Sequence, residues 1–145
     1  MMHVDKLRLV GVAAYIVGDI IYVLSSTSFY APIFERIRRG KPMPDRKWAL
    51  VAAWTVMALG WYYLAAPMAV KWAPQIGCPY RAGILAGVLY GLAVYGTYNF
   101  TMAITIPEWS PSVIARDLGW GIFWASLTLA FYTAKATGMP LSTKW

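Results

Sequence analysis

Cysteine and histidine occur once each in this 145-residue chain, as Cys78 and His3. A single cysteine excludes an intramolecular disulfide framework, and one residue of each kind cannot assemble a zinc site of the usual types. The lone His3 also leaves no base for a Ser-His-Asp triad. Charge is scarce as well: 13% of residues are Asp, Glu, Lys or Arg, against about 25% in an ordinary soluble domain. Hydrophobic residues make up 59% of the chain and mean hydropathy is +0.51. Too little polar surface remains to cover a core of this size in water. A soluble enzyme, a disordered tail and a collagen-like fibre are excluded. Also absent are a nucleophile elbow, a phosphate loop, a zincin helix and a paired-carboxylate glycosidase site. The chain is therefore expected to be a non-enzymatic integral membrane protein, with no metal, cofactor or catalytic residue.

What is present is apolar sequence in long runs. A helix rising about 1.5 Å per residue needs about 20 residues to cross a hydrocarbon core of about 30 Å. Four segments approach or meet that length: 7–24, 49–70, 82–104 and 113–133. The expected fold is all-α, a four-transmembrane-helix bundle forming a single membrane domain over 1–145, with both termini on one side. The first run has the basic start of a signal peptide, but it is longer than the usual apolar region of one. It also lacks a clear cleavage site, and it is read as a retained helix. Trp48 and Trp72 bracket the second run at a separation suited to the two headgroup layers. Ser110 and Pro111 read as N-cap and first residue of the fourth helix, and Pro107 ends the third.

Connection 25–48 is basic, carrying Arg36, Arg38, Arg39, Lys41, Arg46 and Lys47. Within it Phe29, Tyr30, Ile33, Phe34 and Ile37 recur at helical spacing, which predicts a short amphipathic helix in the interface; a solvated loop is the alternative. Gly40 and Pro42-Met43-Pro44 would stop it. The net charge of +7 is read as contact with anionic lipid rather than nucleic acid. Orientation is almost balanced. Lys6, Arg8, Lys71, Arg81, Lys135 and Lys144 fall on one side; the six cations of the connection and Arg116 fall on the other. Crowding in the connection favours that side as cytoplasmic.

Polar residues inside the runs are few, and topology brings them to one depth. Asp19, Asn99 and Asp117 all fall in the leaflet facing the basic connection. An Asp near a helix centre costs about 2.5–3.5 kcal/mol on insertion scales, so its carboxyl should face the bundle and find partners. Tyr15 and Tyr22 share the helical face of Asp19. Tyr95, Tyr98 and Thr101 can contribute from the third helix, and Trp120, Gly121 and Trp124 continue the face of Asp117. This intramembrane polar cluster reads either as a proton, ion or small-ligand site or as hydrogen-bonded cement between helices. Gly83, Gly87 and Gly91 form a small-residue ridge for close helix packing, within the chain or in a homo-oligomer.

The stretch from Tyr95 to Thr101, then Trp109, then Asp117-Leu118-Gly119-Trp120-Gly121 resembles the second half of the small membrane proteins grouped as domain of unknown function 2177 (DUF2177). Asp19 resembles their first-helix Asp. Two positions depart: the family's motif Asp is Asn99 here, and its motif Asn is Met102. The resemblance implies a four-helix membrane protein without an established activity, with relatives in large algal viruses as well as bacteria, so that a component of a viral membrane is one reading. The expected function is structural or interactive, with the basic connection gripping anionic lipid or an acidic partner, alone or within a larger membrane assembly. The alternative is a small oligomeric transporter or channel using Asp19 as its binding carboxylate.

Overall fold

The computed structural model describes residues 2–41 and 46–139, with side chains from Val4 onward. The expected Pro42-Met43-Pro44 stop, the side chain of His3, and Lys144 lie outside the described residues. The described chain is helical: α1 (Met2–Ser25), α2 (Thr27–Arg38), α3 (Lys47–Gly60), α4 (Ala66–Ile76), α5 (Pro79–Gly91), α6 (Thr97–Thr105) and α7 (Pro111–Thr137). Single wide turns, Trp61–Ala65 and Leu92–Gly96, join α3 to α4 and α5 to α6. The result is four long helices, 2–25, 47–76, 79–105 and 111–137, with α2 folded over one end. The runs at 7–24, 49–70, 82–104 and 113–133 each lie inside one of them. By length and composition, Val4–Ser25 and Lys47–Ile76 are apolar enough to cross a bilayer. Gly, Tyr and Asn dilute 79–105, and Arg116, Asp117 and Lys135 dilute 111–137.

The first wide turn has a local cause. Pro67 has no N–H and crowds the carbonyl four residues back, so the helix opens just before it. Ala66 N–H accordingly reaches Trp61 O, five residues back. Pro67 therefore sits inside a continuous helix that runs on to Ile76, well past the end of the apolar run. The helix α6 ends at Thr105, before Pro107, and α7 begins at Pro111. Ser110 occupies the N-cap position, but its hydroxyl bonds the Ser112 hydroxyl at 2.8 Å and makes no capping bond. The helix α2 ends where Arg39 and Gly40 turn left-handed at φ 50° and 76°.

The tightest contact is between α5 and α7, which run antiparallel. A Cβ on Gly83, Gly87 or Gly91 would lie 2.5, 2.2 or 2.7 Å from the Cα of Ala130, Ser126 or Ile122. The expected glycine ridge thus packs backbone on backbone within the chain. Aromatic rings fill the next layer, each over a glycine: Trp61 lies over Gly11, Trp124 over Gly18 and Tyr95 over Gly121. The interior is built from Ala65, Ala66, Ala69, Ala86 and Ala125 around Tyr15, Trp61 and Leu129. The outward side chains are the large apolar ones, among them Leu9, Val17, Val56, Leu64, Leu85, Leu89, Phe123 and Phe131. Small and polar inside, bulky and apolar outside, is the reverse of a water-soluble bundle.

Adding one methyl at Gly87 must therefore push the two backbones apart. Gly87→Ala is expected to destabilise the protein by about 1–3 kcal/mol. Gly119 has open space around it, and Gly119→Ala is expected to be neutral or to stabilise by up to about 1 kcal/mol. Unfolding in mixed micelles checks the pair; equal effects would contradict the packing argument.

Candidate functional site

Asp19 is 5% exposed and sits in α1 where three elements meet. Its Oδ2 accepts the Trp54 indole N–H from α3 at 2.9 Å, and its Oδ1 accepts the Tyr95 hydroxyl from the second wide turn. That turn has a further consequence one turn along. The Tyr95 carbonyl accepts Asn99 Nδ2 at 2.9 Å. Asn99 is fully buried, and its amide also donates to Asp117 Oδ2 at 2.5 Å, while its Oδ1 accepts the Trp109 indole N–H at 2.9 Å. Asp117 Oδ1 accepts the Tyr30 hydroxyl of α2 at 3.3 Å, and Tyr30 meets Tyr22 of α1 at 2.9 Å. One network thus links α1, α2, α3, α6, α7, the second wide turn and the connection before α7.

Burial, then its neighbours Tyr22 and Asp117, hold the Tyr30 phenol protonated far above its ordinary range. It remains a donor at any working pH. The partners of both carboxyls are uncharged N–H and O–H donors, and each carboxyl oxygen serves as an acceptor. Among the described residues no three His, Cys, Asp or Glu side chains converge as a metal site would require.

Several expected members sit elsewhere. Thr101 is exposed and Tyr98 is half out of the bundle, so neither joins the network. At 100° per residue, positions 98 and 101 lie on other sides of the helix from Asn99. Tyr98 instead sets its ring edge-on to Trp109 at 5.7 Å. Tyr15 is fully buried one turn deeper, edge-on to Tyr90 at 5.8 Å. Trp120 contributes through its ring, stacked between Tyr22 at 4.9 Å and Trp124 at 5.5 Å. Trp124 donates to the Tyr15 carbonyl at 3.0 Å.

The basic set divides. Arg36, Arg39, Lys41, Arg46 and Lys47 are exposed; Arg38 is half-buried, with Nε on the Phe34 carbonyl at 3.0 Å. Arg116 lies over the Phe29 ring at 4.4 Å and donates to Ser26 Oγ at 3.4 Å. Tyr30, assigned from the sequence only to the apolar face of α2, and Trp54, read as plain span, both proved to be ligands of the acids. An indole N–H in mid-span needs an acceptor, and Trp54 at the depth of Asp19 is the signal that could have found it.

The family of predicted membrane proteins designated DUF2177 matches residues 6–134, taking in the whole network. The chain belongs to this family. No curated protein and no solved structure matches it. In this DUF2177 protein the geometry gives the Asn99 amide a defined task. It donates to Asp117 and accepts from Trp109 at once, which a carboxylate could not do.

Removing these partners should be costly. Trp54→Phe keeps a ring but takes the donor from Asp19, and Asn99→Leu strands Asp117 Oδ2 and the Trp109 N–H. Each is expected to cost about 1–3 kcal/mol, while Thr101→Val should fall within about 0.5 kcal/mol of the parent. Thermal unfolding in detergent compares the three.

Proposed function

We propose that this protein is a non-enzymatic, four-span membrane bundle with a structural or interaction role. On this reading α2 lies along the bilayer surface and presents its cations to anionic lipid or to an acidic partner. The observation that carries it is how α2 is held. Phe29 is tied to Arg116, Tyr30 to Asp117, and Tyr30 and Phe34 to Trp109 with ring centroids at 6.4 and 6.1 Å. With that side engaged, Arg36 and Arg39 face outward and Lys41 follows. Each such cation near an anionic surface contributes about 1 kcal/mol.

The crossing of 79–105 and 111–137 is supported by their outward Ile84, Leu85, Leu89, Phe123 and Phe131. Tyr95, Asn99 and Asp117 of these helices turn inward into the network, where their polar groups find partners away from lipid. The same network supports the structural role: each oxygen of Asp19 and Asp117 accepts from a side chain of another element.

Reconstituted protein carrying an environment-sensitive dye at Ser28→Cys, with Cys78→Ala, tests the placement of α2. Its emission is expected to shift further to the blue in anionic than in zwitterionic vesicles. Changing Arg36, Arg38, Arg39 and Lys41 to Gln should abolish the difference; a difference that survives defeats the lipid contact. Proton or cation flux into proteoliposomes that disappears in Asp19→Asn would replace this reading with a carrier.

A further inference from the structure

The geometry points to a phospholipid site in the groove between α1 and α7, at the end of the bundle opposite α2. One acyl chain lies in the groove, and the phosphate of an anionic headgroup meets Lys135. The proposal rests on the reading that α1 and α7 cross the bilayer.

The groove is open along one side and holds about 320 Å³. Val10, Gly11 and Ala14 line it from α1, and Trp124, Leu127 and Phe131 from α7. Its floor is apolar because its polar atoms are already occupied. The Thr128 hydroxyl bonds the Trp124 carbonyl at 2.9 Å and accepts Trp61 N–H at 3.3 Å; the Tyr132 hydroxyl accepts Arg8 Nε at 3.2 Å. From Trp124 to Lys135 the groove runs about 16 Å along α7, half of an approximately 30 Å hydrocarbon core. It therefore spans one leaflet, closed near the midplane by the Trp124 ring over Gly18.

The apolar lining and the charge at the mouth select the occupant. The groove is narrow, long and almost wholly apolar, the shape of a surface that an extended hydrocarbon chain covers. At the mouth, Lys135 lines the groove, Arg8 is held beside it on Tyr132 and over Tyr62 at 5.0 Å, and Lys6 stands one helical turn before Val10 on the ridge that lines the groove. The acid on the same helical end is Asp5. Three cations against one acid suit a phosphate.

The test uses the full protein in nanodiscs containing a phosphatidylglycerol with a photoreactive group in its acyl chain, against the matching phosphatidylcholine. Expected are crosslinks at Val10, Leu127 and Phe131, with the anionic lipid preferred. Lys135→Gln should cut that preference roughly fivefold, the effect of one cation at the surface. Ala14→Phe fills the groove and should abolish the crosslinks with both lipids; Arg36→Gln with Arg39→Gln should leave them unchanged. Crosslinks spread equally over Leu64, Leu85 and Leu89, an unaltered preference in Lys135→Gln, or chain-to-chain crosslinks across the groove would each overturn the site. Alkaline extraction separates the two levels. Protein that stays in the membrane yet fails these tests loses only the groove; protein that is extracted loses the membrane reading as well.

Discussion

Inside a bilayer, burying apolar side chains against each other gains little, because lipid is as apolar as leucine. Helices are then held by close contact and by polar bonds, and this chain applies both at fixed places. The approach of α5 to α7 comes first. With Gly83, Gly87 and Gly91 in line, carbonyl and Cα atoms of one helix touch those of the other along three turns. No side chain lies between to vary the spacing. The register of every other contact follows from that seam, since α7 also carries Trp124 to α1 and Asp117 to Asn99.

The polar network depends on that register. The carboxyl of Asp19 would be costly among acyl chains. It is tolerable because Trp54 and Tyr95 arrive from two other helices with their donors correctly aimed. The wide turn at Leu92–Gly96 is part of this arrangement. It rotates Tyr95 over Gly121 toward α1 and offers the Tyr95 carbonyl to Asn99, as single wide turns at functional positions commonly do. The other, at Trp61–Ala65, accommodates Pro67 and seats a fully buried Trp61 against Gly11. Both deviations from a regular helix put an aromatic residue into the centre.

Those two ingredients also divide the bundle. The α4, α5 and α7 end is packed with alanine and glycine, and the apolar groove runs between α1 and α7 there. At the other end α3 contributes no fully buried residue, and the elements are joined by hydrogen bonds and rings beneath α2. One end is sealed by shape, the other by polar partners, and the cations sit beyond both.

Much of this was written in one dimension. Apolar runs with scarce charge dictate long helices, a four-residue glycine period dictates a close seam, and the alternation of direction places Asp19, Asn99 and Asp117 at one level. These follow from rise per residue and periodicity, which are properties of the chain alone. Periodicity does not state how a helix is rotated about its axis. That is why the glycine ridge left open a partner within or outside the chain, whereas the place of Tyr98 and Thr101 away from Asn99 was already set by 100° per residue. Rotation and partner are settled when α5 meets α7 and the wide turn re-aims Tyr95. Only then do Trp54 and Tyr30, distant in sequence and unremarkable there, become the donors that satisfy the two acids.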